Sequence, residues 1–413
     1  MKNTNENYYV AGRRTTLFAL TATLVMTELN TSTLIGFSSL GYIYGQSAIA
    51  LGLVFLIGLV FYALSVAKKW KSFNAISVSE YFSQRYHPLF GILVAIYLWI
   101  SMLGFGANFI KSIDIFTQAL LPNINPWLSS GVLCLLMLGL TIRKGLTSVI
   151  RIDCISFVLC MGVFGYLLWH TLYYPIENIP LSQAPSLPWS FTLSLIIITM
   201  FTYILSPWYG QKIFSAATPK VAFQAVIYAA VFVSIFYGIA IFVTAHYAPI
   251  LSLNNSDDAL AMVITSALPY GAQGIIYLTL FLIAMTTIAA LWNTMASVIF
   301  AHQRRIKQQW LVVMVIAILS YLIANLWIDH ILDKMLLFNI PIAALAFSLL
   351  YGFYGKKHNL IGAIASVVVG TVSALIAYLY SNDFVVYWAL VCIPLSFVSG
   401  WVLGKYTTQK RHI

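Results

Sequence analysis

Charge is what this sequence has least of. Asp, Glu, Lys and Arg make up 8% of its 413 residues, against about 25% in soluble domains. The deficit excludes an ordinary water-soluble enzyme, a disordered tail and a nucleic-acid-binding arm. Cysteine is also scarce. Cys134, Cys154, Cys160 and Cys392 all fall inside apolar runs, with neither metal-ligand spacing nor a disulfide framework, and read as small core residues. Ser, His and Cys triads, glycine-rich phosphate loops and His-x-x-x-His spacings are missing. A membrane-embedded enzyme would lack its chemistry, and no cofactor is expected. No short apolar stretch ends in a small-residue cleavage site, so the first apolar run is expected to stay in the protein.

What remains is oil. Hydrophobic residues are 61% of the chain, about 252 in number, and twelve spans of about 20 residues would use about 240. Twelve apolar segments are visible, near 15–45, 46–67, 88–121, 126–142, 147–172, 190–209, 221–249, 270–302, 308–328, 335–354, 359–380 and 384–403. None alternates with period two, which favours helices over a barrel. The reading is an all-α polytopic membrane protein filling residues 1–413 as a single transmembrane domain.

The basic residues orient it. With the N-terminus inside, the cytoplasmic tracts hold 19 of the 22 Lys and Arg residues, Lys212 among them. That leaves Lys334 outside and Lys111 and Arg151 within segments. Both termini are then cytoplasmic, as the positive-inside rule requires. The tract SVSEYFSQRY (77–86) is short and amphipathic and reads as an interfacial helix.

Six strings, in order, resemble the sodium/solute symporter family. NYYVAGRRTT (7–16) is similar to its Tyr-Phe-Leu-Ala-Gly-Arg entry, and LNTSTLIGFSSLGYIYG (29–45) to its first core helix. VSEYFSQRY (78–86) resembles Pro-Glu-Phe-x-x-x-Arg-Phe, and TIRKGLTSVIRID (141–153) resembles Thr-x-x-Gly-Gly-Leu-x-Ala-Val-x-x-Thr-Asp. YGQKIFSAATPK (209–220) is similar to a stretch ending in Gln-Arg-x-x-Ala-Ala-Lys, and IAMTTIAALWNTMAS (283–297) to Ala-Met-Ser-Thr-Leu-Ser-Ser-Gly-Leu-Asn-Ser. The resemblance implies the inverted-repeat core of the bacterial leucine-transporter type. A first repeat of five helices would span 15–172, a second 190–354, and two further helices 359–403. Five is odd, so segments 1 and 6 run oppositely, as an inverted repeat requires. The helix that usually precedes the Ala-Gly-Arg string in the family is absent here.

Two polar interruptions stand out. In segment 1, TELNTST (27–33) puts Glu28, Asn30, Ser32 and Thr33 near the bilayer midpoint. The cluster reads either as an unwound binding turn or as hydroxyls bonded to their own helix, with Glu28 paired to a neighbour. In segment 6, TYILSPWYGQ (202–211) holds Pro207 and Gly210, with Tyr203, Ser206, Trp208 and Tyr209 able to line a site. A helix that simply ends at Pro207 is the alternative. Candidate substrate-binding residues are Asn30, Ser32, Thr33, Tyr203, Ser206 and Trp208.

Ion coupling is inferred from the same resemblance. The family's sodium ligands fall on the carbonyls of Met26 and Leu29 and on a Ser-Ser pair that is Ala289 and Ala290 in this chain. Alanine brings no side-chain oxygen to a hard cation. Thr286 and Thr287 lie one turn earlier. Asp153 matches the family's Thr-Asp position, either on the ion route or in a cytoplasmic-end salt bridge, while Lys111 and Asp114 read as an internal ion pair. Glu28, with Asp153, becomes a candidate for proton exchange. Coupling is thus expected to Na+ or H+.

The functional expectation is a secondary active transporter for a small organic solute, working by alternating access in the bacterial inner (plasma) membrane. Its partners would be the solute, the coupling ion and the lipid bilayer, without nucleic acid. The alternative is a transport-deficient sensor or transceptor that binds a solute.

Overall fold

The computed structural model describes residues 9–73, 75–174, 184–303, 309–355, 359–380 and 387–409, the backbone alone for 140–145, 309 and 407–409. Their regular secondary structure is helical apart from an isolated parallel bridge between Thr15 and Ala216. In chain order the helices are α1 (Leu17–Glu28), α2 (Thr31–Tyr44), α3 (Gly52–Tyr62), α4 (Lys68–Phe73), α5 (Val78–Arg85), α6 (Pro88–Leu120), α7 (Pro126–Tyr173) and α8 (Trp189–Tyr203). There follow α9 (Pro207–Ser215), α10 (Pro219–Tyr247), α11 (Ala259–Ala267), α12 (Tyr270–His302), α13 (Gln309–Leu326), α14 (Ile331–Ala344), α15 (Ala346–Tyr354), α16 (Leu360–Tyr380) and α17 (Trp388–Gln409).

Local chemistry sets the starts. Three long helices open on proline behind a polar cap: His87 before Pro88, Asn125 before Pro126 and Thr218 before Pro219. Each cap side chain accepts a free backbone N–H, and proline has no N–H to lose at that position. Gly45 turns the chain after α2 at φ 60°, a conformation that side chains resist.

Among the described residues eight helices are long and apolar enough to cross a membrane, nine if α8 and α9 form one bent span, and three shorter apolar helices, Leu17–Glu28, Pro126–Gly139 and Trp310–Leu326, lie on expected segments 1, 4 and 9. The expected boundaries shift for identifiable reasons. The tract between segments 4 and 5 contains no proline, and α7 runs through it as 48 helical residues. The turn Gly45–Leu51 is itself helical, joining segment 2 to the second half of segment 1 in one run, Thr31–Phe73. Segment 10 begins at Ile331 rather than 335 and kinks at Leu345.

The centre is built by α1 and α2 against α10, with α7 and α12 packed on α1 and α6 and α14 closing the far side. Leu135, Ile155, Val158 and Leu172 on α7 are exposed, as are Leu64 and Leu89. Such an apolar exterior suits lipid rather than water. Exposed Trp189, Tyr173 and Tyr270 stand at helix ends, where aromatic belts form. The chain is an integral, multi-pass membrane protein. Helix 77–86 differs from its expected role: Tyr81 stacks edge-on to Trp70 and lies on Phe353, and Arg85 Nε donates to Gly352 O at 2.7 Å. Its apolar face is covered by protein rather than lipid.

Close helix packing depends on small residues. A Cβ on Gly104 of α6 would sit 2.1 Å from the Phe338 ring of α14. Gly104→Ala should therefore destabilise the protein by about 1–3 kcal/mol, seen as a lowered unfolding midpoint of the detergent-purified protein. An unchanged midpoint would show that the two helices part freely.

Candidate functional site

Both polar interruptions are breaks. α1 ends at Glu28 and α2 starts at Thr31, with Leu29 and Asn30 between them outside helical geometry. The second break, Ile204–Ser206, bends α9 from α8 by 52°. Segment 6 does not end at Pro207 but continues as α9 to Ser215. Proline cannot donate into the ladder, so it starts the new helix instead.

Each break frees backbone groups that lipid would not satisfy, and each has a dedicated partner. At the first, the Tyr237 hydroxyl donates to Glu28 O at 2.5 Å and accepts from Asn30 N at 3.3 Å. Asn30 Oδ1 accepts from Thr33 N at 2.8 Å, and its Nδ2 donates to Glu28 O at 3.0 Å. At the second, Trp70 Nε1 donates to Ile204 O at 2.9 Å, and Ser206 Oγ to Thr202 O at 3.1 Å. Tyr237 escaped the sequence reading because a lone aromatic in an apolar run looks like packing, and Trp70 because it sits in the basic tract KKWK (68–71).

A cavity of about 60 Å3 lies where the breaks meet. Glu28, Asn30 and Thr33 line it from the first break, Tyr203, Ser206 and Trp208 from the second. Ser32 does not: it is buried elsewhere, its hydroxyl without a partner. Five of the six candidate substrate residues are thus brought together. The remaining wall comes from residues the sequence did not single out, including Phe55 of α3, Phe105 of α6, Thr199 and Thr202 of α8, and Met335 and Asn339 of α14. Among the described residues lining it, Glu28 is the one acidic or basic side chain. Glu28 is 1% exposed and Oε1 makes no hydrogen bond. Its carboxyl lies within reach of the Tyr203 hydroxyl.

On one side of the molecule the chain is shut. Thr15 N donates to Ser215 O and Ala217 N to Thr15 O, both at 3.0 Å, while Thr15 Oγ1 donates to Ser215 Oγ at 2.9 Å. Lys71 Nζ donates to Phe214 O at 3.1 Å. The start of α1 and the end of α9 are thereby tied together.

The expected ion-coupling residues are arranged differently. Thr287 Oγ1 donates to Ile283 O at 2.7 Å on its own helix and lies 3.1 Å from Met26 O, so two oxygens stand side by side there. Leu29 is buried in the break. Thr286 bonds back to Leu282 O at 3.1 Å on its own helix. Ala289 and Ala290 form a small apolar cluster with Val149. The alanine pair brings no side-chain oxygen to a cation, which leaves Thr287 Oγ1 beside Met26 O as the oxygens at this position.

Nearby, Lys212 of α9, which the charge pattern assigned to a cytoplasmic tract, is 1% exposed. Its Nζ donates to Thr23 O at 2.9 Å, to Asp153 Oδ2 at 3.1 Å and to the Thr27 hydroxyl. The Thr23 hydroxyl also donates to Asp153 Oδ2. Asp153 therefore forms a salt bridge, buried within the protein. Lys212 leaves the expected loop position because α9 packs on α1, whose Thr23 and Thr27 oxygens accept from its ammonium. Lys111 and Asp114 pair at 3.7 Å, with Ser129 Oγ donating to Asp114 Oδ1 at 2.5 Å. Asp257, in a turn outside the spans, is buried, which holds its carboxyl above the usual range. Among the described residues no group of three or more His, Cys, Asp or Glu could hold a metal.

This fold, a pair of broken helices around a central cavity, is shared with membrane transporters. The chain superimposes on a substrate-bound, outward-open Na+-coupled sialic acid symporter with a TM-score of 0.81 at 19% identity, covering 97% of this chain and 92% of that one. It superimposes on Mhp1, a nucleobase-cation-symport-1 family transporter, at 0.63 and 15% identity over 97% and 95%. A manganese transporter of Eremococcus coleocola follows at 0.60 and 12% over 94% and 93%. Residues 8–173 match the model of the sodium:solute symporter family, so the resemblance drawn from the motifs holds over that stretch. The family and these neighbours are transporters, not enzymes. No curated protein matches the chain.

The Tyr237 bridge makes a prediction. Tyr237→Phe removes the hydroxyl that bridges Glu28 O and Asn30 N, which keep their mutual contact at 2.8 Å, at a cost of about 0.5–1.5 kcal/mol. The unfolding midpoint should fall, and amide exchange at Asn30 should quicken. Slow exchange retained at Asn30 would mean that the first break does not need the hydroxyl.

Proposed function

We propose that the protein is a secondary active transporter that moves a small organic solute by alternating access. The observation carrying this reading is the cavity where two broken helices meet, lined from both breaks by polar groups and walled by aromatic ones. Half-helix ends present free backbone groups and dipoles to a solute where intact helices present none. The solute would lie against Asn30, Thr33, Tyr203, Ser206 and Trp208. In this reading 15–172 and 190–354 are the two inverted repeats, segments 1, 2, 6 and 7 rock against 3–5 and 8–10, and both termini face the cytoplasm of a bacterial inner membrane. The tie between Thr15 and Ser215 would then be the closed inner gate.

A volume of about 60 Å3 admits a few waters, while pockets holding drug-sized ligands measure about 300–1,000 Å3. Rearrangement of the walls would accompany loading. Glu28 is the group suited to carry a proton through that cycle. The titratable groups facing it are Tyr62 of α3, Tyr203 of α8, Tyr209 and Lys212 of α9, and Tyr237 of α10.

Uptake of a solute panel into proteoliposomes, with sodium and proton gradients imposed separately, tests the reading. Accumulation of at least one solute against its gradient is expected. A purified, folded protein that binds a solute yet never accumulates one would defeat it in favour of a sensor. Glu28→Gln should retain solute binding but lose acceleration by an inward proton gradient, because the amide cannot exchange a proton. A variant still accelerated to the wild-type extent removes Glu28 from coupling.

A further inference from the structure

We propose that Lys212 is a built-in cation. Its ammonium takes, from within the chain, the place among the oxygens of α1 and α7 that a dissociable sodium ion would otherwise fill, so the transport cycle runs without sodium. The proposal rests on the carrier reading and specifies its coupling.

The local chemistry makes the case. Lysine has three N–H donors, and here three oxygens receive them: Thr23 O, the Thr27 hydroxyl and Asp153 Oδ2. Those are a backbone carbonyl, a hydroxyl and a carboxylate, the oxygen types that hard cations use. The groups facing the ammonium are Thr23, Thr27 and Glu28 on α1, and Asp153 and Cys154 on α7. Of the two carboxylates, Asp153 pairs with Lys212 directly. A sodium ion entering this cluster would meet a positive charge already bonded to the same oxygens. The adjacent position is poorer in oxygens, since Ala289 and Ala290 pack on Val149 and bring no side-chain oxygen. A buried carboxylate needs a counter-charge to persist, and a tethered one cannot dissociate with the solute.

The test needs no solute. Thermal unfolding of the purified full-length protein is followed with sodium chloride exchanged for N-methyl-D-glucamine chloride at constant ionic strength. The wild-type midpoint should be the same in both. Lys212→Ala leaves Asp153, Thr23 O and Thr27 without their cation, and its midpoint should rise in sodium in a saturable way. A sodium-specific rise in the wild type overturns the proposal. So does a folded Lys212→Ala protein that responds no more than the wild type. If Lys212→Ala does not fold, Lys212→Met combined with Asp153→Asn removes both charges and keeps the volume. That double variant should be blind to sodium, and a sodium response there equally overturns the proposal. Failure here leaves solute transport untouched, and failure of the uptake panel leaves this measurement readable.

Discussion

Unpaired backbone in a lipid-filled environment is the constraint on which this structure depends. Interrupting two spans frees N–H and C=O groups, each costing several kcal/mol if left in hydrocarbon. The breaks persist because Tyr237 reaches Glu28 O and Asn30 N, and Trp70 reaches Ile204 O. Both partners are held by packing: Tyr237 stacks on Phe55 with ring centroids 4.7 Å apart, and Trp70 lies edge-on to Phe214 at 5.9 Å. The cavity therefore inherits part of its shape from aromatic packing, since Phe55, on which Tyr237 stacks, is also one of its walls.

The same logic governs charge. Lys212 and Asp153 are nearly inaccessible and bonded to each other and to α1. Removing either partner leaves a lone buried charge, typically a loss of about 3–5 kcal/mol. The pair ties α9 to α1 and α7. The two broken spans are thus joined twice, by the Lys212 bonds and by the backbone pairing of Thr15 with Ser215 and Ala217. Movement of one half-helix would be felt by the other through these contacts.

Much of the site was readable in advance. A glutamate, an asparagine and hydroxyls in an oily run, and a proline with a glycine in another, mark places where a helix cannot stay regular. Five of six candidate lining residues meet in the cavity. Ser32 does not, because α2 turns it away once Asn30 has capped the helix. The α14 wall was invisible, since Leu332, Met335 and Asn339 look like any apolar helix in sequence. Lys212 was misplaced because a lysine beside other basic tracts reads as a loop charge, and only its burial among Thr23, Thr27 and Asp153 shows that it points inward.

By itself, the sequence determined membrane residence, helical class and the positions of the two interruptions. Hydropathy and backbone preference act locally and carry those features in the order of residues. The tertiary structure alone decided which groups satisfy the freed backbone, which helices wall the cavity and where Lys212 finds its counter-charge. Those depend on contacts between residues such as Lys212 and Thr27, 185 positions apart, and no local pattern encodes a partner at that distance.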